Sequence, residues 1–316
     1  MVFSIIIVNY NLSDEVQDCI NSLIKITKDV EFEIILIDNH SEDESILKIA
    51  EEFSNNTSLS FKFIRAEKNI GFGNACNLAT KHSKGELLFF LNPDTIIEEN
   101  ILMKVNERLE KYSLNRNQSV LGLNVSNQKL FDFSAGIFPN YFIEFLNIFF
   151  LGRFAEAVYI KMKSIFSGNK ILRLHWVMGS ALIIGREEFL KIGGFDPNFF
   201  LYFEEMDLCK RAINNGLSVM YFADIRVDHI GSVSAKKNYY FFTKMFYKGK
   251  LLFLKKHYSN LQFYIFGRLF FFQVINQIIF LYLLKLKKSE KSYDKIRAFR
   301  EILNHINNPE KISNTP

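Results

Sequence analysis

Cysteine, proline and tryptophan are scarce in this chain of 316 residues, which contains three, five and one of them respectively. The cysteines, Cys19, Cys76 and Cys209, are odd in number and lie far apart in otherwise helical patterns. They support neither a disulfide framework nor a zinc cluster, so we expect a reducing compartment. Internal repeats and low-complexity linkers are also lacking, and the length indicates one large domain with an appendage.

Long hydrophobic runs are few. The run Phe3–Val8 is only strand length and is followed by polar residues, so it does not resemble a signal peptide and a cytoplasmic protein is expected. Leu261–Leu284 is long enough to span a bilayer, yet it contains four amides and Arg268. The amides gather on one side and lysines follow, which favours an interfacial helix on the inner face of the cell membrane. The alternatives are a helix packed on the main domain or in a homodimer interface, and a transmembrane helix.

The charge balance points to a local anionic partner. The net charge is +5, and the basic surplus lies mostly beyond Ser234. Neither a nucleic-acid-binding module nor an interleaved basic and aromatic stripe is evident, so no nucleic-acid partner is expected. Anionic lipid is the better match.

Short apolar strands alternate with amphipathic helices over the first hundred residues. The pattern predicts strands at Phe3–Val8, Phe32–Ile37, Phe61–Ile64 and Glu86–Leu91. Ser41, with Glu44 three residues later, predicts a capping box for the second helix. Together they predict an α/β fold with a mostly parallel central sheet. We expect domain 1–235 to carry this fold and 236–316 to form a C-terminal helical region; 115–174 receives no role.

Short polar residues and glycines follow all four predicted strands. Ligands of such sheets bind beyond the carboxyl ends of the strands, so these residues are candidates for a binding site. Asn, Asp, Gly and Pro are common in turns, which would explain any one of these groups. Turn preferences explain less readily why such residues follow all four strands. The four groups are Asn9–Asn11, Asp38–Ser41, Asn69 with Gly71 and Gly73, and Asn92–Asp94.

Acidic residues mark two positions for chemistry, one in the last of these groups and one in a later helix. Asp94 follows a buried strand, where a carboxylate and a diphosphate can share Mg²⁺ or Mn²⁺; a turn that caps the next helix is the alternative. Glu204, Glu205 and Asp207 lie at one helix start, where they face a helix dipole, a cation or a hydroxyl to be deprotonated. A solvated helix start, with Asp207 and Arg211 as an ordinary pair, explains the second cluster equally simply.

The order of these motifs resembles glycosyltransferase family 2, which has the GT-A fold, and especially its rhamnosyltransferase-like bacterial members. The resemblance covers roughly residues 1–258. Ordered co-occurrence of motifs is more specific than any one of them. The matching blocks are Ile7–Asn11 with Ile37–Ser41, Asn69–Asn77, Leu91–Asp94, Gly194–Arg211 and Val227–Ser234.

The resemblance implies roles at the matching positions. Asp38 would bind the nucleotide base, and Asn92 and Asp94 stand at a metal motif, which His229 completes. Glu205 stands where relatives usually have a catalytic Asp, so Glu204 or Asp207 could share or take the role of the base. The positions expected to bind the nucleotide-sugar are Val8, Asn9, Tyr10, Asp38, Asn69, Gly71, Asn74, Asn92, Trp176 and Gly179.

The implied reaction is an inverting, metal-dependent transfer of a sugar from a nucleotide-diphosphate donor. The resemblance makes dTDP-rhamnose the leading donor, ahead of UDP-hexoses, and a lipid-linked saccharide of cell-surface polysaccharide synthesis the acceptor. A nucleotide-dependent oxidoreductase is disfavoured, because Cys76 replaces the third glycine after Gly71 and Gly73. A catalytically silent homologue that binds sugar nucleotide or scaffolds polysaccharide assembly is the other alternative, because of Glu205.

Overall fold

The computed structural model describes residues 2–126, 134–167, 170–229, 238–283 and 290–307. The strands are β1 Phe3–Asn9, β2 Phe32–Asp38, β3 Ser60–Arg65, β4 Leu87–Leu91, β5 Thr95–Ile96, β6 Ser119–Ser126, β7 Ala135–Gly136, β8 Ile171–Arg173, β9 Trp176–Val177, β10 Ala181–Gly185 and β11 Ser218–His229. The helices are α1 Ser13–Ile26, α2 Ser45–Ser54, α3 Phe72–Thr80, α4 Ile101–Lys111, α5 Tyr141–Ile148, α6 Gly152–Ser167, α7 Arg186–Lys191, α8 Glu204–Asn214, α9 Tyr239–His257, α10 Asn260–Leu283 and α11 Glu290–Asn307.

The first half of the main sheet is parallel, in the order β3-β2-β1-β4. The four predicted strands are confirmed, and every residue of β1 and β4 is buried. Burial on both faces explains why these strands read as continuous apolar runs, since helices cover both sides of a parallel sheet. The carboxyl ends of β1, β2, β3 and β4 therefore meet at one edge, as the polar residues after them predicted.

The second half of the sheet is mixed. β10 lies antiparallel between β4 and β6, while β6 runs parallel to β11. β11 also pairs antiparallel with the short β5, and its register against β6 shifts between Phe222 and Arg226. This long strand carries His229 back to the segment that follows β4.

The capping box predicted from Ser41 and Glu44 is wrong. α2 begins at Ser45, and Glu44, its N-cap, makes no side-chain capping bond. The Ser41 hydroxyl instead donates to Asp38 Oδ1, and its backbone N–H faces the same carboxylate. A buried carboxylate needs hydrogen-bond donors more than a helix start that water can reach. The Ser41 hydroxyl therefore bonds to Asp38 and does not cap α2.

The C-terminal helices pack against the sheet domain and against each other. Phe253 of α9 lies in the same core cluster as Phe138 and Phe203. Leu251 of α9, on the other hand, joins a second cluster with α10 and α11. Helix α10 is long and apolar enough to cross a membrane, judged by length and composition alone. The division at residues 235 and 236 stays a prediction.

Candidate functional site

Asp38, at the end of β2, is the centre of a buried hydrogen-bond network. Its side chain is fully buried, and Asn9 Nδ2 and the Ser41 hydroxyl both donate to Oδ1. Arg65 Nε lies 3.3 Å from Oδ2. The carboxylate is therefore already bound by internal partners, and its expected contact with a base stays a prediction.

Arg65 is a candidate that the sequence did not reveal. It ends β3 directly opposite Asp38 in the sheet register, and its side chain is 34% exposed, which leaves part of a cation at the edge of the site. Its Nη2 also donates to the Ser41 carbonyl. Strand pairing is the signal that would have found it, because residues paired at the ends of parallel strands share one edge.

Asparagine side chains fix the loop after β3. Asn69 Oδ1 accepts from Asn39 Nδ2 and from the backbone N–H of Gly71, each at 3.0 Å. Asn74 Nδ2 donates to the Ile70 carbonyl. At the neighbouring end of β1, Val8 and Asn9 are buried and the ring of Tyr10 is exposed. These predicted binding residues lie along one edge of the sheet, at or just after the ends of β1 and β3, and Tyr10 is the most accessible of them.

Gly71 is held against the segment that precedes α8. Its φ is +82°, and a Cβ built there would lie 2.2 Å from the Phe200 carbonyl oxygen. The backbone N–H of Phe72 donates to that same oxygen. The loop after β3 thus positions the acidic start of α8. Only a glycine at position 71 allows the two backbone segments to come this close.

We expect Gly71→Ala to lower the free energy of unfolding by more than about 2 kcal/mol, because it adds a clash to a strained backbone. Gly193→Ala is the matched control, since Gly193 has φ +86° with nothing within 4 Å of its Cβ position. That change should cost only about 1–2 kcal/mol of conformational strain. Urea denaturation of both variants checks this, and equal losses would contradict the role of the Phe200 contact.

The predicted metal residues are brought together. Asp94 is 6% exposed, and His229 Nε2 lies 3.1 Å from its Oδ1. β5 pairs with the end of β11, with His229 opposite Thr95, which explains this approach. The backbone N–H of Asn92 donates to the Ser180 carbonyl, so Asn92 links β4 to the segment before β10.

A carboxylate suits both Mg²⁺ and Mn²⁺, whereas an imidazole suits transition metals, so this pair fits Mn²⁺ better than Mg²⁺. Among the described residues, no group of three His, Cys, Asp or Glu side chains forms a complete metal site. Asp94 and His229 therefore fit a cation whose other ligands come from a diphosphate and water. Of the trailing motif, residues 230–234 lie outside the described part of the chain.

The start of α8 holds two buried carboxyl groups on a strained backbone. Tyr202 and Phe203 both have left-handed φ angles, 67° and 70°, although neither is glycine. Such conformations persist where the surrounding structure imposes them, often at functional sites. Glu204 is 4% exposed, and among the described atoms its Oε2 finds no hydrogen-bond partner. The strained turn thus directs an unsatisfied carboxyl group into the interior.

Burial dominates the acid–base properties of this pair. It raises the pKa of Glu205 to about 7, against backbone hydrogen bonds that lower it. Burial, and then the neighbouring Glu205, raise the pKa of Glu204 well above its ordinary value. The two carboxyl groups therefore carry less than two negative charges at neutral pH. Glu205 has the proton affinity of a general base that works near pH 7.

Tyr202 lies within electrostatic reach of the acidic pair and of Asp94. Burial, then Glu204, Glu205 and Asp94 in that order, raise the pKa of its phenol to about 12. Gly179 borders the same space, because a Cβ there would lie 3.5 Å from Glu205 Cβ. The structure thus brings together the predicted base, the predicted metal ligand and Gly179.

The surroundings of Asp207 do not suit the role of base that the sequence left open for it. It is fully buried, and His257 Nε2, Lys256 Nζ and Arg211 Nε each lie 2.7 Å from its oxygens. Burial alone would raise the pKa of Asp207, but the bond from His257, with Arg211 and Lys256, lowers it to about 2. A carboxylate held by three partners has little affinity for another proton, so Asp207 joins α8 to α9.

Trp176 is also placed differently from its predicted role. It pairs with Gly136 in the two-stranded sheet of β7 and β9, and its indole N–H donates to the Ile137 carbonyl at 3.0 Å. No described contact joins it to Asp38 or Asp94. The indole N–H is therefore already bonded to the backbone and is not available to a nucleotide-sugar.

Comparison with known proteins agrees with this geometry. Residues 4–137 match the family model described as glycosyl transferase family 2. A curated relative is the rhamnosyltransferase WbbL of Escherichia coli strain K12, 29% identical over 186 residues, or 56% of this chain. The match covers 66% of WbbL, slightly less than two thirds of its length.

Two solved structures share the fold. One is GalNAc-T7 with UDP, GalNAc and Mn²⁺, with a TM-score of 0.63 at 17% identity over 99% of this chain and 58% of that one. The other is the mannosyltransferase PcManGT from Pyrobaculum calidifontis with GDP-Man and Mn²⁺, with a TM-score of 0.61 at 10% identity over 98% of this chain and 87% of that one. The predicted GT-A fold is confirmed.

Proposed function

We propose that the chain, whose residues 4–137 match the family 2 glycosyltransferase model, is an inverting enzyme that transfers a sugar from a nucleotide-diphosphate donor to a hydroxyl group. The observation that carries the proposal is Glu205, a carboxyl group with a pKa of about 7 in the same site as Asp94 and His229. A base of that strength and a metal-binding pair are what such a displacement requires.

Glu205 takes the proton of the acceptor hydroxyl as the acceptor oxygen bonds to the anomeric carbon. The bond from that carbon to the diphosphate breaks on the opposite face, so the configuration inverts. No covalent sugar–enzyme intermediate is needed, in contrast to a retaining glycosidase. Asp94 and His229 would hold the divalent cation, which when bound neutralises charge on the leaving diphosphate.

Glu204 supports Glu205 in this scheme. Burial and the neighbouring Glu205 both raise its pKa, so the pair holds a proton that neither glutamate would keep in water. Two interacting carboxyl groups release their protons in separate steps. A protonated Glu204 leaves the negative charge on Glu205, the residue nearer to solvent and to Gly179.

The leading donor is dTDP-rhamnose, with UDP-hexoses behind it. The similarity to a rhamnosyltransferase supports this order, at 29% identity. A lipid-linked saccharide of cell-surface polysaccharide synthesis is the proposed acceptor, for a protein at the inner face of the cytoplasmic membrane. The sites of the donor's base and ribose would be the strand ends that carry Asn9, Tyr10, Asp38 and Asn69.

Turnover of dTDP- and UDP-sugars with Mn²⁺ or Mg²⁺, followed by NMR, tests the proposal. We expect one donor to turn over, with acceptors supplied by a membrane extract. Asp94→Asn should lower that rate roughly a hundredfold or more, because it removes charge opposite the diphosphate. Asp14→Asn, an exposed change on α1, should have no effect and serves as the control.

A catalytically silent homologue is the second candidate, because Glu205 replaces the Asp that the family resemblance leads one to expect. The extra methylene displaces the reactive oxygen by about a bond length, enough to impair catalysis. Donor binding that persists without turnover of any sugar would favour this alternative.

A further inference from the structure

Three helices expose an unusual amount of aromatic and aliphatic surface. Phe166 is 81% exposed, Phe142 is 67% exposed and Leu283 is 75% exposed. Large exposed apolar patches are rare on soluble monomers and mark interaction sites. We define this aromatic face of α5, α6 and α10 by Phe142, Phe145, Phe154, Phe166, Phe272 and Leu283.

The exposed residues recur at helical spacing. Phe142 and Phe145 of α5 and Phe149, its C-cap, are exposed at intervals of three and four residues, and the exposed apolar residues of α6 and α10 also recur at helical spacing. Each helix therefore presents an apolar stripe outward, the reverse of a helix on the surface of a soluble domain. The sequence predicted an interfacial helix only at Leu261–Leu284, which is α10, and gave no role to residues 115–174, which contain α5 and α6.

The three helices adjoin one another. Gly152, the first residue of α6, packs against Asn147 of α5, where a Cβ would lie 2.0 Å from Asn147 Oδ1. The rings of Phe150, which follows α5, and Phe280 of α10 have centroids 5.1 Å apart. Asn276 Nδ2 of α10 donates to the Ile148 carbonyl at 2.6 Å. Gln277 Oε1 accepts from the hydroxyl of Tyr247 in α9. The amides of α10 thus face the protein, which leaves its apolar side outward.

The charges of the aromatic face are of one sign. Within α5, α6 and α10 the acidic residues are Glu144 and Glu156. Glu144 is buried in an ion pair with Lys250 of α9, and Glu156 accepts a backbone hydrogen bond from Ile137. The basic residues of the same helices are Arg153, Lys161, Lys163 and Arg268. An apolar surface that bears cations matches anionic lipid headgroups above an acyl layer.

We propose that the aromatic face docks the enzyme flat on an anionic lipid bilayer, with α5 and α6 as well as α10 in contact with lipid. The inference extends the proposed function, since a lipid-linked acceptor is presented at such a surface. Helix α9 connects the two sites. It pairs with α5 through Lys250 and Glu144, and the Tyr202 carbonyl packs against Gly249, where a Cβ would lie 2.7 Å away.

Cosedimentation of the full chain with vesicles tests the proposal. The chain should bind equimolar phosphatidylcholine and phosphatidylglycerol vesicles more tightly than phosphatidylcholine alone. Phe142→Glu with Phe166→Glu should weaken binding at least about tenfold, because both rings lose their place in the acyl layer. The control is Leu190→Glu with Met103→Glu, two exposed apolar residues of α7 and α4. It should bind like the wild type.

Three outcomes would overturn the proposal. They are a wild type that binds neither vesicle, a double variant that binds as the wild type does, and a dimer in solution that Phe142→Glu with Phe166→Glu dissociates without any vesicle binding. The last outcome would make the face an interface between copies. Donor turnover in vesicle-free solution is measured in parallel, so that a failure of the proposed reaction is distinguishable from a failure of docking.

Discussion

Glu205→Gln is expected to lower kcat by about 10²–10⁴-fold while the Kd of the donor changes little. The amide keeps the size of the side chain but cannot accept the acceptor's proton. Glu110→Gln, the same chemical change at an exposed position of α4, should leave kcat unchanged. If instead Glu204→Gln removes activity and Glu205→Gln does not, Glu204 is the base.

The pH dependence of the wild type follows from the same group. Because a base must be deprotonated, kcat/KM should rise with pH through about 7, the raised pKa of Glu205. Glu205→Gln should abolish that limb of the profile. A wild-type profile that is flat from about pH 6 to pH 8 would contradict the assignment.

Glu205→Gln should also stabilise the fold at alkaline pH. The pKa of Glu205 is about 7 in the folded state against an ordinary value of 4.5, so its stability contribution is full below 4.5 and is lost as pH rises through 7. Removing the charge should therefore raise the free energy of unfolding by about 3 kcal/mol at pH 8 and by little at pH 4. Urea denaturation at both pH values measures this.

Asp207→Ala is expected to lower the free energy of unfolding by about 2–4 kcal/mol, because Arg211, Lys256 and His257 lose the buried carboxylate that they share. Arg211, which Asp207 orients, also donates to the Ile192 and Gly194 carbonyls, so the loop before the strained Tyr202–Phe203 turn should loosen as well. Activity should fall through this loss of order. Thermal and urea unfolding, with kcat measured well below the transition, checks both effects.

Two further variants separate a structural from a catalytic role for Asp207. Asp207→Asn keeps the shape and loses the charge, so it should lie between the wild type and Asp207→Ala in stability. Asp224→Ala removes a half-buried carboxylate of β11 that pairs with Arg108 and Lys170 and, among the described residues, not with α8 or α9, and it should leave kcat unchanged. If the Asp207→Asn protein is as stable as the wild type but inactive, the structural role is contradicted and Asp207 acts as the base.

The sequence by itself determined the first half of the sheet and the positions of the site. β1 and β4 are largely apolar because they are buried on both faces of the sheet, whereas β3, at the sheet edge, is only partly buried and mixes polar with apolar residues. Polar residues follow all four strands, at the carboxyl ends where ligands of such sheets bind. These signals are local. Asn9, Asp38 and Asp94 could therefore be chosen from the printed letters and the family resemblance alone.

Only the tertiary structure decided what each acidic side chain does. Glu204, Glu205 and Asp207 look alike in one helical turn, yet burial raises the pKa of the first two, while Arg211, Lys256 and His257 lower that of Asp207. The Ser41 hydroxyl bonds to Asp38 and does not cap α2, and α5 and α6, which have no predicted role, expose aromatic side chains beside the predicted interfacial helix α10. The reason is physical: a pKa and an exposed surface depend on neighbours in space, which residue spacing along the chain does not specify.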